Sequence, residues 1–133
     1  MDRIRLHDLK RVSSYIQKEL DKAYKDTIQE ACYLRGSAVQ EFEKQWTEYT
    51  GAEDCCALTS GTDALHTAAM LTGVGPGDEV IMPAHGFIAS IGPWLHTGAT
   101  IKYVDCKVSD YCIDEDKIEA QITDKTKVIL WID

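Results

Sequence analysis

From residue 54 onward, short apolar runs alternate with amphipathic segments, and this alternation limits the possible folds more than any other feature of the chain. The apolar runs predict strands at residues 55–58, 79–82, 100–104 and 127–132. Helices are predicted between them, over residues 64–73 and 87–95, with a short helix capped by Asp114. Strands that alternate with helices are typical of an α/β fold with a largely parallel sheet.

The last predicted strand, residues 127–132, is strongly apolar and lies next to Asp133. A parallel strand of this kind needs a crossover helix to cover the sheet that it joins. The pattern therefore predicts an α/β domain that these residues do not complete.

The first fifty residues predict helices and no strand. Apolar residues recur at steps of three and four along one helical face, as at Leu9, Val12, Ile16 and Leu20. Asp8 is the expected N-cap of this helix, and a second helix is expected to open at Ser37 with Gln40 completing a capping box. We therefore expect a helical segment over residues 1–50 and the α/β part over residues 51–133.

The net charge and the distribution of apolar residues together exclude several classes of function. The chain has 133 residues and a formal net charge of −8, whereas non-specific nucleic-acid binding needs Lys and Arg to neutralise phosphates. No apolar stretch approaches the roughly 18 residues of a membrane span. Residues 1–30 are charged throughout and lack the apolar core of a secretory leader. We expect a cytoplasmic protein with no membrane and no nucleic-acid partner.

The five cysteines and four histidines do not show the spacing of metal ligands. Cys55 and Cys56 are adjacent and would point to opposite faces of a strand. We expect reduced, mostly buried thiols and no metal site. The acidic run after Asp110 is interpreted as a solvated stretch.

The turn Ser60-Gly61-Thr62-Asp63, between a predicted strand and a predicted helix, is the first candidate site. Glycine permits close backbone approach, and the free N–H groups of a helix N-terminus bind phosphate. From these residues alone an ordinary helix start explains the turn at least as well. Ser60 or Thr62 would then be the N-cap, and Asp63 would favour the positive end of the helix dipole.

A second candidate follows the predicted strand 79–82, at the edge of the sheet where α/β proteins bind ligands. Phe87 offers an aromatic face to a flat ring, and His85 offers a hydrogen-bond donor. The alternatives are a core position for Phe87 and a surface or capping role for His85.

Several short motifs follow one another along nearly the whole chain. They are Gly36-x-x-Val39-x-x-Phe42-Glu43, Thr50-Gly51-Ala52, Ser60-Gly61-Thr62-Asp63-Ala64-Leu65, Gly75-x-Gly77-Asp78-Glu79-Val80-Ile81-x-Pro83, Phe87-Ile88-Ala89-Ser90, Gly98-Ala99, Val104-Asp105 and Ile122-Thr123-x-x-Thr126-Lys127. In this order the chain resembles the N-terminal part of the DegT/DnrJ/EryC1/StrS aminotransferases, the pyridoxal-phosphate enzymes that aminate nucleotide-linked keto sugars.

The resemblance implies an α/β fold of the PLP-dependent transferase fold type I (aspartate-aminotransferase-like). It implies an incomplete large domain with an N-terminal helical segment, normally part of a homodimer. It also implies that Gly61, Thr62 and Asp63 form the phosphate-binding turn for pyridoxal 5'-phosphate, and that Phe87 stacks on the cofactor ring. Gly86 departs from the family, which commonly has Thr at this position.

In such enzymes a lysine holds the cofactor and moves the proton, and a carboxylate keeps the pyridine nitrogen protonated. The resemblance matches neither group here, because Asp105, Asp133 and the lysines after the turn stand at other positions. We therefore expect no catalytic residue in these 133 residues and no turnover by the chain alone.

Three hypotheses remain open. The leading one is the N-terminal part of an aminotransferase that moves an amino group, as in the family from glutamate, to a nucleotide-linked keto sugar. The second is a short non-catalytic homologue that binds a phosphorylated ligand or a partner subunit. The third is another fold-type-I enzyme, such as a dehydratase relative in which a histidine replaces the lysine.

Overall fold

The computed structural model describes residues 6–132, and the chain divides into two compact units, Met1–Ala57 and Leu58–Asp133. In the described residues, the regular structure of the first unit is helical and the second unit holds the sheet. No helix in this part of the chain is long and apolar enough to cross a membrane.

The described residues of the first unit form three helices, α1 (Leu9–Tyr15), α2 (Gln17–Glu30) and α3 (Ser37–Thr50). The predicted N-cap is confirmed, because the Asp8 carboxylate accepts a hydrogen bond from the Arg11 N–H at 3.2 Å. The apolar face expected of one helix is divided between α1 and α2. The division falls at Ile16, whose backbone leaves helical geometry with φ −113° and ψ 17°.

The capping box predicted for α3 is wrong. Its N-cap is Gly36, which has no side chain that could accept a hydrogen bond from the helix. The Ser37 hydroxyl donates instead to the Glu30 carboxylate at 2.9 Å. The Gln40 side-chain amide donates to the Arg35 carbonyl oxygen at 3.4 Å. These polar groups therefore connect α3 to the residues before it rather than closing its own first turn.

A tight connector joins α2 to α3. Ala31 and Arg35 both adopt left-handed backbone geometry with φ 52°, and Gly36 is buried. A Cβ atom placed on Gly36 would lie 2.6 Å from the Cys32 carbonyl oxygen. The connector therefore has room for glycine alone at this position.

The strand–helix alternation predicted from residue 79 onward is confirmed. The second unit contains α4 (Gly61–Leu71), β1 (Glu79–Pro83), α5 (Ile88–His96), β2 (Thr100–Val104), 3₁₀ turns at Glu115–Lys117 and Glu119–Gln121, and β3 (Thr126–Ile129). The short helix expected after Asp114 is thus a pair of 3₁₀ turns. The Asp114 side chain does not cap it and pairs with Lys117 at 2.8 Å.

The three strands form a parallel sheet with β1 in the centre, in the order β2-β1-β3. Glu79 pairs with Thr100 and Pro83 with Val104, so β1 and β2 run in register over their whole length. On the other side, Val80 pairs with Val128. The carboxyl ends of all three strands therefore lie at one edge of the sheet.

The hydrophobic core surrounds β1. Val80, Ile81 and Met82 are each fully buried, at 0% exposure. Because side chains alternate along a strand, Val80 and Met82 share one face. They pack there in a cluster with Ala69 of α4 and Trp94 of α5, while Ile81 belongs to a second cluster, with Val104 and Ile113.

The strand predicted at residues 55–58 is not found. These residues have no regular secondary structure, and no strand pairs with them in the described part of the chain. The Ala57 N–H donates instead to the Glu43 carboxylate at 2.8 Å. This single side-chain acceptor takes the place of the backbone hydrogen bonds that would pair a strand with its neighbour.

The expectation of mostly buried thiols is also wrong, because Cys32 and Cys56 are exposed and the other three cysteines are half-buried.

The chain after β2 folds back on itself in what we call the β2 hairpin, residues 105–114. Cys106 pairs antiparallel with Ile113, and the Lys107 N–H donates to the Cys112 carbonyl oxygen at 3.0 Å. These contacts fix the path of the segment between β2 and the 3₁₀ turns.

Two ion pairs stabilise the end of the β2 hairpin. Lys107 pairs with Glu115, and Lys117 pairs with Asp114. The hydrogen bond from Lys117 lowers the pKa of Asp114, and the hydrogen bond from Lys107 lowers the pKa of Glu115. Both carboxyls are therefore held in the charged form to lower pH than in the unfolded chain.

We expect the Gly36→Ala substitution to destabilise the first unit, because the added methyl group collides with a backbone oxygen that cannot rotate away. Overpacking of this kind costs about 1–3 kcal/mol. Thermal unfolding followed by circular dichroism measures the effect. Gly92→Ala is the matched control, since a Cβ at Gly92 of α5 would meet no atom within 4 Å. Equal unfolding temperatures for the two variants would contradict the clash.

The ion pairs of the β2 hairpin predict a dependence of stability on pH. Their carboxyls have folded pKa values below the unfolded values of about 3.9 for Asp and 4.3 for Glu. The pairs therefore stabilise the fold above that range, and the contribution is lost as pH falls through the folded values. We expect a Lys107→Met, Lys117→Met double variant to lose less thermal stability than the unchanged chain between pH 7 and pH 3.

Lys125→Met is the control for this experiment, since Lys125 makes no ion pair among the described residues. An equal loss of unfolding temperature in the double variant and in the unchanged chain would show that the pairs do not contribute.

Candidate functional site

The starts of α4 and α5 line one cleft in the second unit, the α4–α5 cleft. Its volume is about 590 Å³, and its walls are formed by Gly61, Thr62, Ala64, Leu65, Phe87, Ala89 and Ser90. The helices α4 and α5 pack against each other. Two segments that the sequence singled out separately, residues 60–63 and 83–87, therefore contribute to the same site.

The first turn of α4 leaves two backbone donors available. Ser60 is the N-cap, and its hydroxyl oxygen accepts a hydrogen bond from the Asp63 N–H at 3.1 Å. The Ala64 N–H donates to the Ser60 carbonyl oxygen at 3.0 Å. Within the described part of the chain, the N–H groups of Gly61 and Thr62 have no hydrogen-bond partner. A helix start of this kind attracts an anion, because its free N–H groups and the helix dipole are both positive.

Neither the backbone conformation nor the packing requires a glycine at position 61. It is not among the residues with positive φ, and a Cβ atom at Gly61 would meet nothing within 4 Å. A larger residue would therefore fit the folded chain. What the glycine does provide is open space directly beside the unpaired N–H groups, where a ligand can approach the backbone closely.

Asp63 does not line the α4–α5 cleft. Its side chain is half-buried, and its carboxylate accepts a hydrogen bond from the Thr59 hydroxyl at 3.0 Å. Together with the Ser60 cap, this contact orders the residues that lead into α4. Its role in cofactor binding stays a prediction, whereas its contacts are those of a residue that shapes the turn.

Phe87 is exposed over 72% of its surface. It is the N-cap residue of α5, with extended backbone geometry at φ −80° and ψ 140°. The alternative of a core position is therefore wrong for this chain. An exposed aromatic face in the wall of a cleft suits a flat ring, because stacked and edge-on aromatic contacts are favourable.

The sequence did not single out Ser90 as a site residue, although its side chain also lines the α4–α5 cleft. Its N–H donates to the Phe87 carbonyl oxygen at 2.9 Å, within the first turn of α5. Residues three apart on a helix lie on the same face. The three-residue spacing from Phe87 is therefore the sequence signal that could have indicated Ser90 as a residue of the α4–α5 cleft.

Glu43 is a second residue whose role the sequence did not reveal. Its side chain is half-buried and accepts the Ala57 N–H, which fixes the segment just before the α4 turn. Burial raises the pKa of the Cys55 thiol, and the negative charge of Glu43 raises it further. Cys55 is thus held as a neutral thiol, and Glu43 organises this segment.

His85 and Gly86 do not line the α4–α5 cleft. They border a separate cavity with Tyr111. A Cβ atom on Gly86 would lie 3.1 Å from the Ile132 Cδ1 atom. The threonine that the family commonly has at this position would therefore require Ile132 to move.

Among the described residues of the second unit, no lysine lines the α4–α5 cleft. Lys102 lies 3.7 Å from the Glu79 carboxylate, and Lys107 and Lys117 pair with acids of the β2 hairpin and the turn after it. The cleft therefore offers backbone donors, hydroxyls and one aromatic ring, beside the apolar side chains of Ala64, Leu65 and Ala89.

The model of the DegT/DnrJ/EryC1/StrS aminotransferase family matches residues 14–133. The chain belongs to this family. The resemblance inferred from the sequence motifs is thereby confirmed.

A curated relative is the dTDP-3-amino-3,6-dideoxy-alpha-D-galactopyranose transaminase of Aneurinibacillus thermoaerophilus. It is 37% identical over 123 residues, which are 92% of this chain and 34% of the relative. The chain thus spans about a third of the length of that relative.

Solved structures of family members have the same fold. A DegT DnrJ EryC1 StrS aminotransferase from Brucella abortus superposes with a TM-score of 0.88 at 31% identity, covering 96% of this chain and 36% of that one. NtdA from Bacillus subtilis, with bound cofactor PMP, gives a TM-score of 0.88 at 32% identity, covering 97% and 30%. The α/β fold is therefore that of the PLP-dependent aminotransferases of fold type I, as predicted.

The residues of the α4–α5 cleft fit the cofactor of this family. The open space at Gly61 and the two unpaired N–H groups suit a phosphate. The exposed ring of Phe87 suits a pyridine ring. The interpretation of residues 60–63 as an ordinary helix start is correct in that Ser60 is the N-cap.

We expect loss of the Ser60 cap to destabilise α4. Ser60→Ala removes the acceptor for the Asp63 N–H and lowers the free energy of unfolding by about 1 kcal/mol. Ser60→Asp is the control, since aspartate also caps helices. Urea unfolding measures both variants, and equal midpoints for Ser60→Ala and Ser60→Asp would contradict the role of the cap.

Proposed function

We propose that this chain supplies part of the pyridoxal 5'-phosphate site of an aminotransferase that acts on a nucleotide-linked keto sugar. The observation that carries the proposal is the α4–α5 cleft, where unpaired backbone donors at Gly61 and Thr62 share one space with the exposed ring of Phe87. We assign residues 1–50 to an N-terminal helical segment and residues 51–133 to the first part of the cofactor-binding large domain.

In this proposal each wall of the cleft holds one part of the cofactor. The backbone of Gly61 and Thr62 holds the phosphate, and the Thr62 hydroxyl adds a further donor. Phe87 stacks on the pyridine ring and excludes water from one of its faces. Asp63 keeps the turn in shape through Ser60 and Thr59. When bound, the cofactor supplies an electron sink for the transfer of an amino group.

We propose glutamate as the amino donor, as the family resemblance implies, and a nucleotide-linked keto sugar as the acceptor. The sugar-nucleotide transaminase relative supports the acceptor class. The lysine that holds the cofactor is not assigned to any residue of this chain. This is supported by the lining of the α4–α5 cleft, which contains no lysine among the described residues of the second unit. Residues 1–133 alone are then inactive.

We propose a second copy of the same chain as the partner, in a homodimer. Large apolar side chains on the helices of the first unit support this proposal, since Leu20, Ile28, Phe42 and Trp46 are each exposed over 46–53% of their surface. We also propose a cytoplasmic location. The five free cysteines are consistent with a reducing compartment.

The test of the cofactor site is a titration of the chain with pyridoxal phosphate, followed by fluorescence. We expect Gly61→Ala to weaken binding by about tenfold, equivalent to about 1.4 kcal/mol, because the methyl group occupies the space beside the phosphate donors. Phe87→Ala removes a stacking contact of about 0.5–1.5 kcal/mol. Gly61→Ala is expected to leave the unfolding temperature unchanged or raised, since alanine favours the helix.

Gly92→Ala is the matched control, because Gly92 is also a helical glycine with open space around it and it does not line the cleft. Unchanged affinity in both Gly61→Ala and Phe87→Ala would refute the cofactor site. The same samples, reduced with borohydride and examined by mass spectrometry, should show no lysine labelled stoichiometrically. A single fully labelled lysine would overturn the proposal that this chain lacks the cofactor-holding lysine.

A further inference from the structure

Two histidines meet where α4 packs against α5. His66 lies in the middle of α4, and His96 is the last residue of α5. Their imidazole rings have centroids 5.3 Å apart and planes tilted by 51°. The two residues are distant in sequence, so their spacing gives no sign of the pair. The packing of the two helices brings them together.

The ring nitrogens of this histidine pair have no other role in the described part of the chain. There, neither His66 nor His96 forms a hydrogen bond or an ion pair. His66 is half-buried and His96 is exposed, so the pair can be reached from solvent. A neutral imidazole keeps one nitrogen as an acceptor with a free lone pair. The pair therefore has two lone pairs to offer to a ligand.

The separation of the two rings suits a shared metal ion. Bonds between a metal and a histidine nitrogen are about 2.0–2.1 Å long, which places the centroids of two imidazoles on one tetrahedral ion about 5 Å apart. The observed separation of 5.3 Å is close to this value. Imidazole suits zinc, copper and nickel, whereas calcium and magnesium take oxygen ligands. The pair therefore selects a divalent transition-metal ion.

The position of His96 also favours a cation. This residue stands in the last turn of α5, where the helix dipole is negative. A positive charge bound at this end of the helix is stabilised in the same way as a basic side chain. The electrostatics of α5 and the ligand type of the pair thus agree.

The pair supplies two ligands and leaves the other coordination positions to water. No third histidine, cysteine or carboxylate completes a metal-binding group among the described residues. Structural zinc sites have four protein ligands. A site with two protein ligands holds its ion less tightly, so we expect the ion to exchange with the solution.

We propose that His66 and His96 form a binding site for a divalent transition-metal ion, such as Zn²⁺, that connects α4 to α5. The site shares no residue with the α4–α5 cleft. It depends neither on the cofactor nor on the proposed aminotransferase function. The bound ion clamps together the two helices whose first turns form the cleft, and it stabilises the folded chain because it binds the folded pair.

The test uses Zn²⁺ alone, with isothermal titration calorimetry and thermal unfolding of the full chain. Zn²⁺ at ten times its dissociation constant should raise the unfolding temperature by about 5 °C, and EDTA should reverse the shift. His66→Gln and His96→Gln each remove one ligand and introduce a good helix former. Each should weaken binding at least about tenfold, because even the loss of an outer-shell partner costs about 10–100-fold in metal affinity.

His85→Gln is the matched control, since His85 is an exposed histidine whose ring lies against Tyr111 rather than another histidine. It should leave both the affinity and the temperature shift unchanged. An equal loss in His85→Gln, or no shift in the unchanged chain, would overturn the proposal.

Zinc held by thiols is distinguished by the same variants, because all five cysteines remain in each of them. Undiminished binding in His66→Gln and His96→Gln would therefore assign the ion to the cysteines and refute the histidine site. Circular dichroism without metal checks that the variants fold. His96→Gln alone decides the question if the half-buried His66 does not tolerate substitution, since His96 is exposed.

Discussion

The burial of β1 between two parallel neighbours is the constraint on which the second unit depends. Val80, Ile81 and Met82 have no exposed surface, and their alternating directions anchor a cluster on each face of the sheet. Because β2 and β3 both pair with this strand in parallel, the segments that leave the three strands emerge together. Polar and aromatic groups from distant parts of the sequence are thereby gathered at one edge.

Much of this fold is predictable because its elements depend on local patterns. The apolar run of β1 and the helix cap at Asp8 follow from residues close in sequence. The segment 55–58 has an equally apolar composition, but a strand also requires a partner along its length. The Glu43 carboxylate takes the Ala57 N–H instead, and a contact between residues fourteen positions apart leaves no periodic pattern in the sequence.

The candidate site, like the fold, is predictable from the sequence only where it depends on local patterns. A glycine between small hydroxyl residues at a helix start indicates an anion-binding turn, and the family resemblance extends this to Phe87. The sequence alone cannot distinguish an exposed Phe87 from a buried one, because exposure depends on how α4 and α5 pack. The conformation of Tyr111 is also beyond sequence reasoning, since a bulky residue at positive φ contradicts its own local preference. Hydrogen bonds within the β2 hairpin, such as that from the Tyr111 N–H to the Lys107 carbonyl oxygen, accompany that conformation.

The loop after β1 has a consequence for how such proteins diversify. Phe87 and His85 belong to the same short loop, but the opposing walls come from α4 in one case and the β2 hairpin in the other. Mutations in the β2 hairpin can therefore accumulate without disturbing the residues that surround Gly61. A fold arranged in this way lets the two cavities change independently during evolution, because substitutions in the wall of one leave the wall of the other in place.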